Sequence, residues 1–221
     1  MVGIIGCLLG IIIGLNIFKV SEKVINYKCI QLNKERPVGD IISKEIKIIF
    51  IIVHILLYTI GFFLIPVPKS IFVALFISIS MVITIVDISI HIIPNESVLL
   101  LLFIGILYRL AGGGLASLKS AILGLLIISV LFLGTGLIVF LLKGTIGVGA
   151  GDLKLAMVIS IILGYPGSLY FIVGLSLALL GYIGMKLAFK GPVMGTSFPM
   201  AGQIAVGFLI ALFYPYLEFL L

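Results

Sequence analysis

Two carboxylates stand out as residues that could do chemistry in an otherwise apolar chain. Asp87 closes one long hydrophobic run, and Asp152 opens another, directly after a run of glycines. Ionised groups close to the hydrocarbon region of a membrane are costly and usually functional. Two carboxylates held close together in a poor dielectric do not both ionise easily, so they share a proton. Such a pair could activate a water molecule with its base and protonate a leaving group with its acid.

The remaining acids beyond residue 47 receive structural interpretations. Glu96 directly follows Asn95, and we expect it to favour the start of a helix. Glu218 lies three residues from the last residue of the sequence, where we expect a solvated interfacial position. A helix-capping or interfacial role is also the open alternative for Asp87 and Asp152.

The segment around Asp152 has features that suit a site for an extended substrate. Gly149 and Gly151 precede the acid, and glycine permits unusual backbone angles and a close approach of another backbone. Lys154 follows two residues later. We interpret Lys154 as an anchor at the lipid headgroups, with stabilisation of a nearby carboxylate as the alternative.

The histidines and cysteines do not indicate another kind of site. His54 and His91 have no second ligand at metal-site spacing, so we expect core or interfacial positions for both. Cys7 and Cys29 are too few for a disulfide framework or a four-thiolate zinc site. The sequence therefore predicts no metal site, and no Ser/His/Asp or Cys/His nucleophile set.

The composition predicts a membrane protein that holds these acids in a helical frame. The chain has 221 residues, of which 62% are hydrophobic and 10% charged, against about 25% charged in soluble domains. Repeated continuous apolar runs predict membrane-spanning helices, and their lack of alternation excludes a β-barrel. The net charge of +6 does not indicate nucleic-acid binding, because the basic residues follow a membrane topology. The first helix lacks a basic n-region and a small-residue cleavage site, so we expect it to be retained.

The predicted fold is an all-α polytopic membrane protein with eight transmembrane helices. Its parts are a first helix (1–18), a short basic cytoplasmic loop (19–47) and a seven-helix core (48–221). Gly6, Gly10 and Gly14 form a small-residue stripe for close packing of the first helix. The predicted helices are Val2–Phe18, Ile48–Ile65, Ser70–Val86, Glu96–Leu110, Leu118–Leu142, Asp152–Leu163, Ser168–Ala188 and Met200–Leu220.

The charge distribution predicts the orientation. If the first loop is cytoplasmic, only Lys69, Arg109 and Lys119 fall outside, and the other basic residues fall inside. This asymmetry obeys the positive-inside rule and places both termini outside. It also places Asp87 and Asp152 on the same cytoplasmic side. The inside residues are Lys19, Lys23, Lys28, Lys34, Arg36, Lys44, Lys47, Lys143, Lys154, Lys186 and Lys190.

The motifs around both acids resemble those of the type IV prepilin peptidases, a family of GxGD-type aspartic proteases of the inner membrane. Asp87 followed by Ile93-Pro94-Asn95 is similar to the family's first-aspartate motif, and Gly149-Ala150-Gly151-Asp152-Leu153-Lys154-Leu155 to its GxGDxKL motif. Gly195–Ala201 resembles the proline-containing motif before the last helix, and Gly14–Ile17 weakly resembles the end of the first helix. The resemblance implies that Asp87 and Asp152 cleave the basic leader of prepilins or pseudopilins at the cytoplasmic face.

The chain departs from the family in its first loop. Many members carry two CxxC pairs there and also N-methylate the new terminus with S-adenosylmethionine, whereas this loop has Cys29 alone. We therefore expect no zinc, and proteolysis without a cofactor. Methylation, with S-adenosylmethionine as methyl donor, stays an open question. Gly202 also replaces a second proline in the last motif. The expected partners are prepilins or pseudopilins and the lipid bilayer.

Other functions fit the residues less well. The presenilin-like branch of GxGD proteases expects Tyr before its first aspartate, where this chain has Val86. A proton-coupled transporter with two membrane carboxylates is the alternative from another class. It would favour acids near the middle of the membrane and broken helices there. A structural assembly protein would need neither acid.

Overall fold

The computed structural model describes residues 2–35, 42–144, 149–188 and 199–217. Within these ranges the regular structure is helical throughout, which confirms the all-α class. Five of the helices are long and apolar enough to cross a membrane, and α6 is shorter. The helices are α1 (Val2–Gln31), α2 (Lys44–Leu64), α3 (Lys69–Ile90), α4 (Asn95–Lys143), α5 (Ala150–Ala188) and α6 (Ala201–Leu217).

Two of these helices contain a break in their backbone. Gly114 in α4 has φ 56° and ψ −150°. In α5, Gly164 has φ 62° and ψ −175°, and Tyr165 is extended. Glycine adopts a positive φ without a steric penalty. The breaks lie where the sequence predicted links between helices, although Gly112 and Gly113 are themselves helical. Eight membrane crossings stay a prediction.

Side-chain hydrogen bonds show how sharply the chain bends at the breaks. Ser117 Oγ donates to the backbone oxygen of Arg109 at 2.7 Å and to that of Gly114 at 2.9 Å. Eight residues of straight helix would separate such groups by about 12 Å. Ser168 Oγ likewise lies 3.4 Å from the backbone oxygen of Ser160, eight residues earlier. Each helix is therefore two arms that meet at a sharp bend.

The chain divides into two compact units, Met1–Ser97 and Val98–Leu221. In the first unit, α1 packs against α2 and α3, and α2 packs against α3. In the second unit, α5 packs against α6. The first unit holds Asp87, and the second holds Asp152.

The glycine stripe of α1 packs closely against another helix, as the sequence predicted, and the structure identifies that helix as α2. A Cβ added at Gly6 would lie 2.7 Å from Phe62 Cβ and 2.8 Å from the Tyr58 backbone oxygen. A Cβ at Gly10 would lie 3.0 Å from the Cα of Ile55. The two helices approach this closely because hydrogen atoms replace side chains along the stripe.

The predicted end of the first helix at Phe18 is wrong, because α1 continues to Gln31. Ser21, Ile25, Lys28 and Cys29 are buried, and they continue the stripe at spacings of three and four residues. The charged side chains between them, such as that of Lys23, are exposed. The first part of the predicted loop 19–47 is thus an amphipathic helix that packs within the first unit.

In the second unit Arg109 connects the two breaks. Its guanidinium donates to the backbone oxygen of Leu163 at 3.4 Å, and also to Ser117 O and Ser120 Oγ. Leu163 immediately precedes the break in α5, and Ser117 follows the break in α4. The Leu163 carbonyl precedes a break, where a helix leaves its last carbonyl groups without helical partners, and Arg109 supplies a donor to it. The same guanidinium also holds the start of the helix arm that follows Gly114.

Other predicted boundaries move by a few residues. α2 begins at Lys44 rather than Ile48, with Ser43 as its N-cap. α3 continues past Val86 to Ile90, so Asp87 lies inside the helix and does not close it. Glu218 and most of the predicted loop 189–199 lie outside the described residues.

Candidate active site

Asp87 lies in the last full turn of α3 and is buried, with 6% of its surface exposed. The helix ends at His91, whose left-handed backbone (φ 51°) directs its N–H to the Asp87 carbonyl at 2.9 Å. This αL termination fixes the backbone of the aspartate. The four residues before Asp87 are buried as well, which holds this turn in the interior of the first unit.

The end of α1 packs directly beside this turn. Val86, the residue before Asp87, is fully buried in a cluster with Ile25 and Cys29 of α1. Val82 and Ile90 pack against the same cluster from one turn on either side. The position of Asp87 therefore depends on the part of α1 that the sequence predicted as a loop.

The connection after Asp87 is short and is fixed at both ends. Pro94 is buried and immediately precedes α4, which begins at the exposed Asn95. Glu96 lies in the first turn of α4, as predicted for an acid at a helix start. Pro94 and Asn95 follow Asp87 by seven and eight residues in the sequence. All three residues lie in the same compact unit.

Asp152 lies in the first turn of α5, two residues after the helix begins at Ala150. The helix starts with a hydrogen bond from Leu153 N to Gly149 O of 3.1 Å. A Cβ added at Gly149 would lie 2.6 Å from Asp152 Oδ2, so the carboxylate rests against the glycine backbone. This gives Gly149 a specific role: only a residue without a side chain leaves room for the carboxylate in this position.

The turn that carries Asp152 is anchored on one side and open on the other. Leu155 and Ala156 are buried, whereas Lys154 is exposed and Gly151 is half-buried. Negative charge is stabilised at the N-terminus of a helix, because its first N–H groups have no helical partners. The local structure therefore suits an ionised carboxylate at Asp152.

The structure brings the predicted site residues together as two groups. Asp87, Pro94 and Asn95 belong to the first unit, and Gly149, Gly151, Asp152 and Lys154 to the second. Each group surrounds one aspartate at one end of an apolar helix.

One pair of charged residues, in the unit that holds Asp87, was not predicted from the sequence. Lys28 Nζ lies 2.7 Å from Glu96 Oε2, and the two residues are 68 positions apart. The sequence placed Lys28 in the short basic loop 19–47, but its side chain is only 7% exposed. The signal that could have indicated its burial is the spacing Ser21, Ile25, Lys28, which continues the stripe of the first helix.

His54 occupies a core position, one of the two that the sequence allowed, and an interfacial position of His91 stays a prediction. His54 is fully buried, with its ring 4.5 Å from that of Tyr58, and His91 is an exposed residue at the end of α3. Cys7 and Cys29 are both free thiols. Within the described ranges, groups of three or more His, Cys, Asp or Glu residues suited to a metal ion do not occur.

Comparison with known families identifies the class of this chain. The sequence model of the type IV leader peptidase family matches residues 74–184, just over half of the chain. The chain belongs to this family. Curated proteins and solved structures gave no match.

The region matched by the family contains both groups of residues around the aspartates. It begins in α3 before Asp87 and ends in α5 after Asp152, so it covers both groups completely. Membership in a family of leader peptidases supports a peptidase activity for the chain and confirms the resemblance seen in its motifs. It favours proteolysis over the transporter alternative. The motif at 195–201 lies beyond the match, and 195–198 also lie outside the described residues.

Proposed function

We propose that this protein is an aspartic endopeptidase of the cytoplasmic membrane that removes the short basic leader from prepilins or pseudopilins. The observation that carries the proposal is the family match over both aspartate motifs. Asp87 and Asp152 each lie at a helix end with a specific local structure: burial beside α1 for Asp87, and close contact with Gly149 for Asp152.

The helix ends favour different roles for the two acids. Asp152, in the first turn of α5, is the better site for a carboxylate, because helix N-termini stabilise negative charge. Asp87, in the last turn of α3, is the better site for the protonated acid. Asp152 would then take a proton from the attacking water, and Asp87 would hydrogen-bond to the scissile carbonyl and give its proton to it. As the tetrahedral intermediate collapses, Asp152 gives its proton to the leaving amine and Asp87 takes one back from a hydroxyl of the intermediate, which restores both acids.

The proposed topology has eight crossings with both termini outside. A straight helix of the length of α4, 49 residues, would extend about 74 Å, far beyond the hydrocarbon core of about 30 Å. The bend at Gly114 divides α4 into two arms, and the break at Gly164 does the same for α5. If each arm crosses separately, the C-terminal end of α3 and the start of α5 lie on the same side of the membrane, as two catalytic aspartates require.

Leader cleavage tests the proposal directly. A prepilin is co-expressed with the protein, and the processed form is separated from the precursor on a gel. Asp87→Asn and Asp152→Asn preserve side-chain size and should each reduce cleavage at least about a hundredfold. Glu22→Gln, at an exposed acid of α1, is the matched control and should cleave normally. Normal processing by either aspartate variant contradicts the proposal.

Methylation is a separate question that the same experiment answers. Cys29, near the end of α1, stands alone in the region where many members of the family carry CxxC pairs. The two possible outcomes are proteolysis alone and proteolysis followed by transfer of a methyl group from S-adenosylmethionine. Mass spectrometry of the first residue of the processed pilin distinguishes the two. We propose proteolysis without methylation, and an N-methyl group on the product contradicts that part of the proposal.

A further inference from the structure

Lys28 is buried, which is unusual for a lysine close to the end of a membrane helix. Of the Lys, Arg, Asp and Glu residues whose burial the structure describes, Lys28 and Asp87 are the two that are buried, and both belong to the first unit. The Lys28 ammonium lies 2.8 Å from Glu96 Oε1, 2.7 Å from Glu96 Oε2 and 2.7 Å from Gln31 Oε1. Three acceptor oxygens therefore surround its three donors.

The two partners of the ion pair differ in exposure. The Lys28 side chain is 7% exposed, and that of Glu96 is 52% exposed. Water can solvate the carboxylate if the lysine is removed. If the carboxylate is removed, however, a buried cation loses its counter-charge, which is strongly destabilising. Loss of the Glu96 carboxylate should therefore destabilise the protein more than loss of the Lys28 ammonium.

The pair connects α1 to the far end of the segment that carries Asp87. At the near end, Val86 packs against Ile25 and Cys29 of α1. At the far end, Glu96 is bound by Lys28, the residue next to Cys29. The same two turns of α1 thus hold both ends of residues 86–96, and Asp87, Pro94 and Asn95 lie between these attachments.

We propose that Lys28 and Glu96 are positioning residues that fix the segment carrying Asp87 in the geometry needed for peptide cleavage. This inference rests on the proposed function. Neither residue touches the substrate in this account. Lys28 lies outside the region matched by the family, residues 74–184, so the family relationship does not assign it a role.

The test measures kcat and KM for leader cleavage by purified full-length protein in detergent, per folded molecule. The variants are Lys28→Met, Glu96→Ala, their double variant, and Lys23→Met as the control at an exposed lysine of α1. We expect kcat to fall between about tenfold and about a hundredfold in both single variants, because small displacements of a catalytic group have effects of this size. KM should stay unchanged, and Lys23→Met should match the wild type.

The double variant distinguishes a pair from two independent effects. Removing Lys28 also removes the stranded cation, so the double variant should cleave no more slowly than Glu96→Ala. Multiplied losses of kcat would contradict the pairing. If Glu96→Ala does not fold, Lys28→Met still tests the proposal, because it leaves no buried charge unpaired.

Two results overturn the inference without affecting the proposed function. One is an unchanged kcat in Lys28→Met and Glu96→Ala, and the other is a raised KM with normal kcat, which would indicate substrate binding. Asp87→Asn, measured in parallel, must be inactive for either result to concern the ion pair. An active Asp87→Asn variant would instead contradict the proposed function itself.

Discussion

The contact between Gly149 and the carboxylate of Asp152 gives a sharp prediction for Gly149→Ala. The new Cβ would lie 2.6 Å from Asp152 Oδ2, whereas ordinary van der Waals contacts of a Cβ begin at about 3.4 Å. The carboxylate must therefore move by about 0.8 Å, by rotation of a flexible side chain. The helix itself has little reason to change, because α5 begins only at Ala150.

This displacement should reduce activity without reducing stability. A shift of about 1 Å in a reacting group can cost about a hundredfold in rate, so we expect kcat for leader cleavage to fall by about one to two orders of magnitude. Thermal unfolding of the purified variant should match the wild type. The control is Gly134→Ala, since a Cβ there meets nothing within 4 Å.

The assay compares initial cleavage rates of a prepilin by equal amounts of folded wild type, Gly149→Ala and Gly134→Ala. A wild-type rate for Gly149→Ala would refute the reasoning that the glycine makes room for a catalytic carboxylate. A loss of rate together with a lowered unfolding temperature would show that the glycine serves the fold instead.

Three further predictions concern the frame and the cofactors. Alanine should destabilise the protein most at Gly6, less at Gly10 and least at Gly14, because the new Cβ would approach α2 to 2.7, 3.0 and 3.4 Å. Unfolding temperatures in detergent measure the three effects, and equal effects would contradict the packing account. Arg109→Lys should lower the unfolding temperature although it conserves the charge, because an ammonium cannot reach carbonyl groups at both breaks as the guanidinium does. Ser117→Ala should lower the unfolding temperature less, because it removes hydrogen bonds worth about 1 kcal/mol each. Incubation with EDTA should leave the rate of leader cleavage unchanged, and a metal-restored loss of rate would contradict a cofactor-free dyad.

The sequence predicted those features that depend on local signals. Long apolar runs specify helices, and glycine clusters mark the places where α4 and α5 bend. The start of α5 beside Asp152 follows from the glycines before it. These features could be predicted because each depends on residues that are close together in the chain.

The features that were not predicted depend on distant partners. The charged residues after Phe18 indicated a short basic loop, yet α1 continues to Gln31 because one face of it packs in the first unit. The burial of Lys28 depends on Glu96, 68 positions later, and composition does not reveal such a pair. Asp87 was placed at the end of its helix, whereas three further residues continue α3 before His91 ends it.

The central claim is that Asp87 and Asp152 form one catalytic pair, and cross-linking tests it most directly. Cysteines replace both aspartates in a chain whose native Cys7 and Cys29 have been changed to alanine. A short thiol-to-thiol reagent is applied in membranes, and joined peptides are identified by mass spectrometry. A second pair, with cysteines at Asp87 and Lys119, is the control, because the proposed topology places these positions on opposite sides. The account predicts efficient cross-linking of the 87–152 pair and none of the control. Absence of the 87–152 cross-link, with both cysteines reactive towards a single-site maleimide, would contradict it.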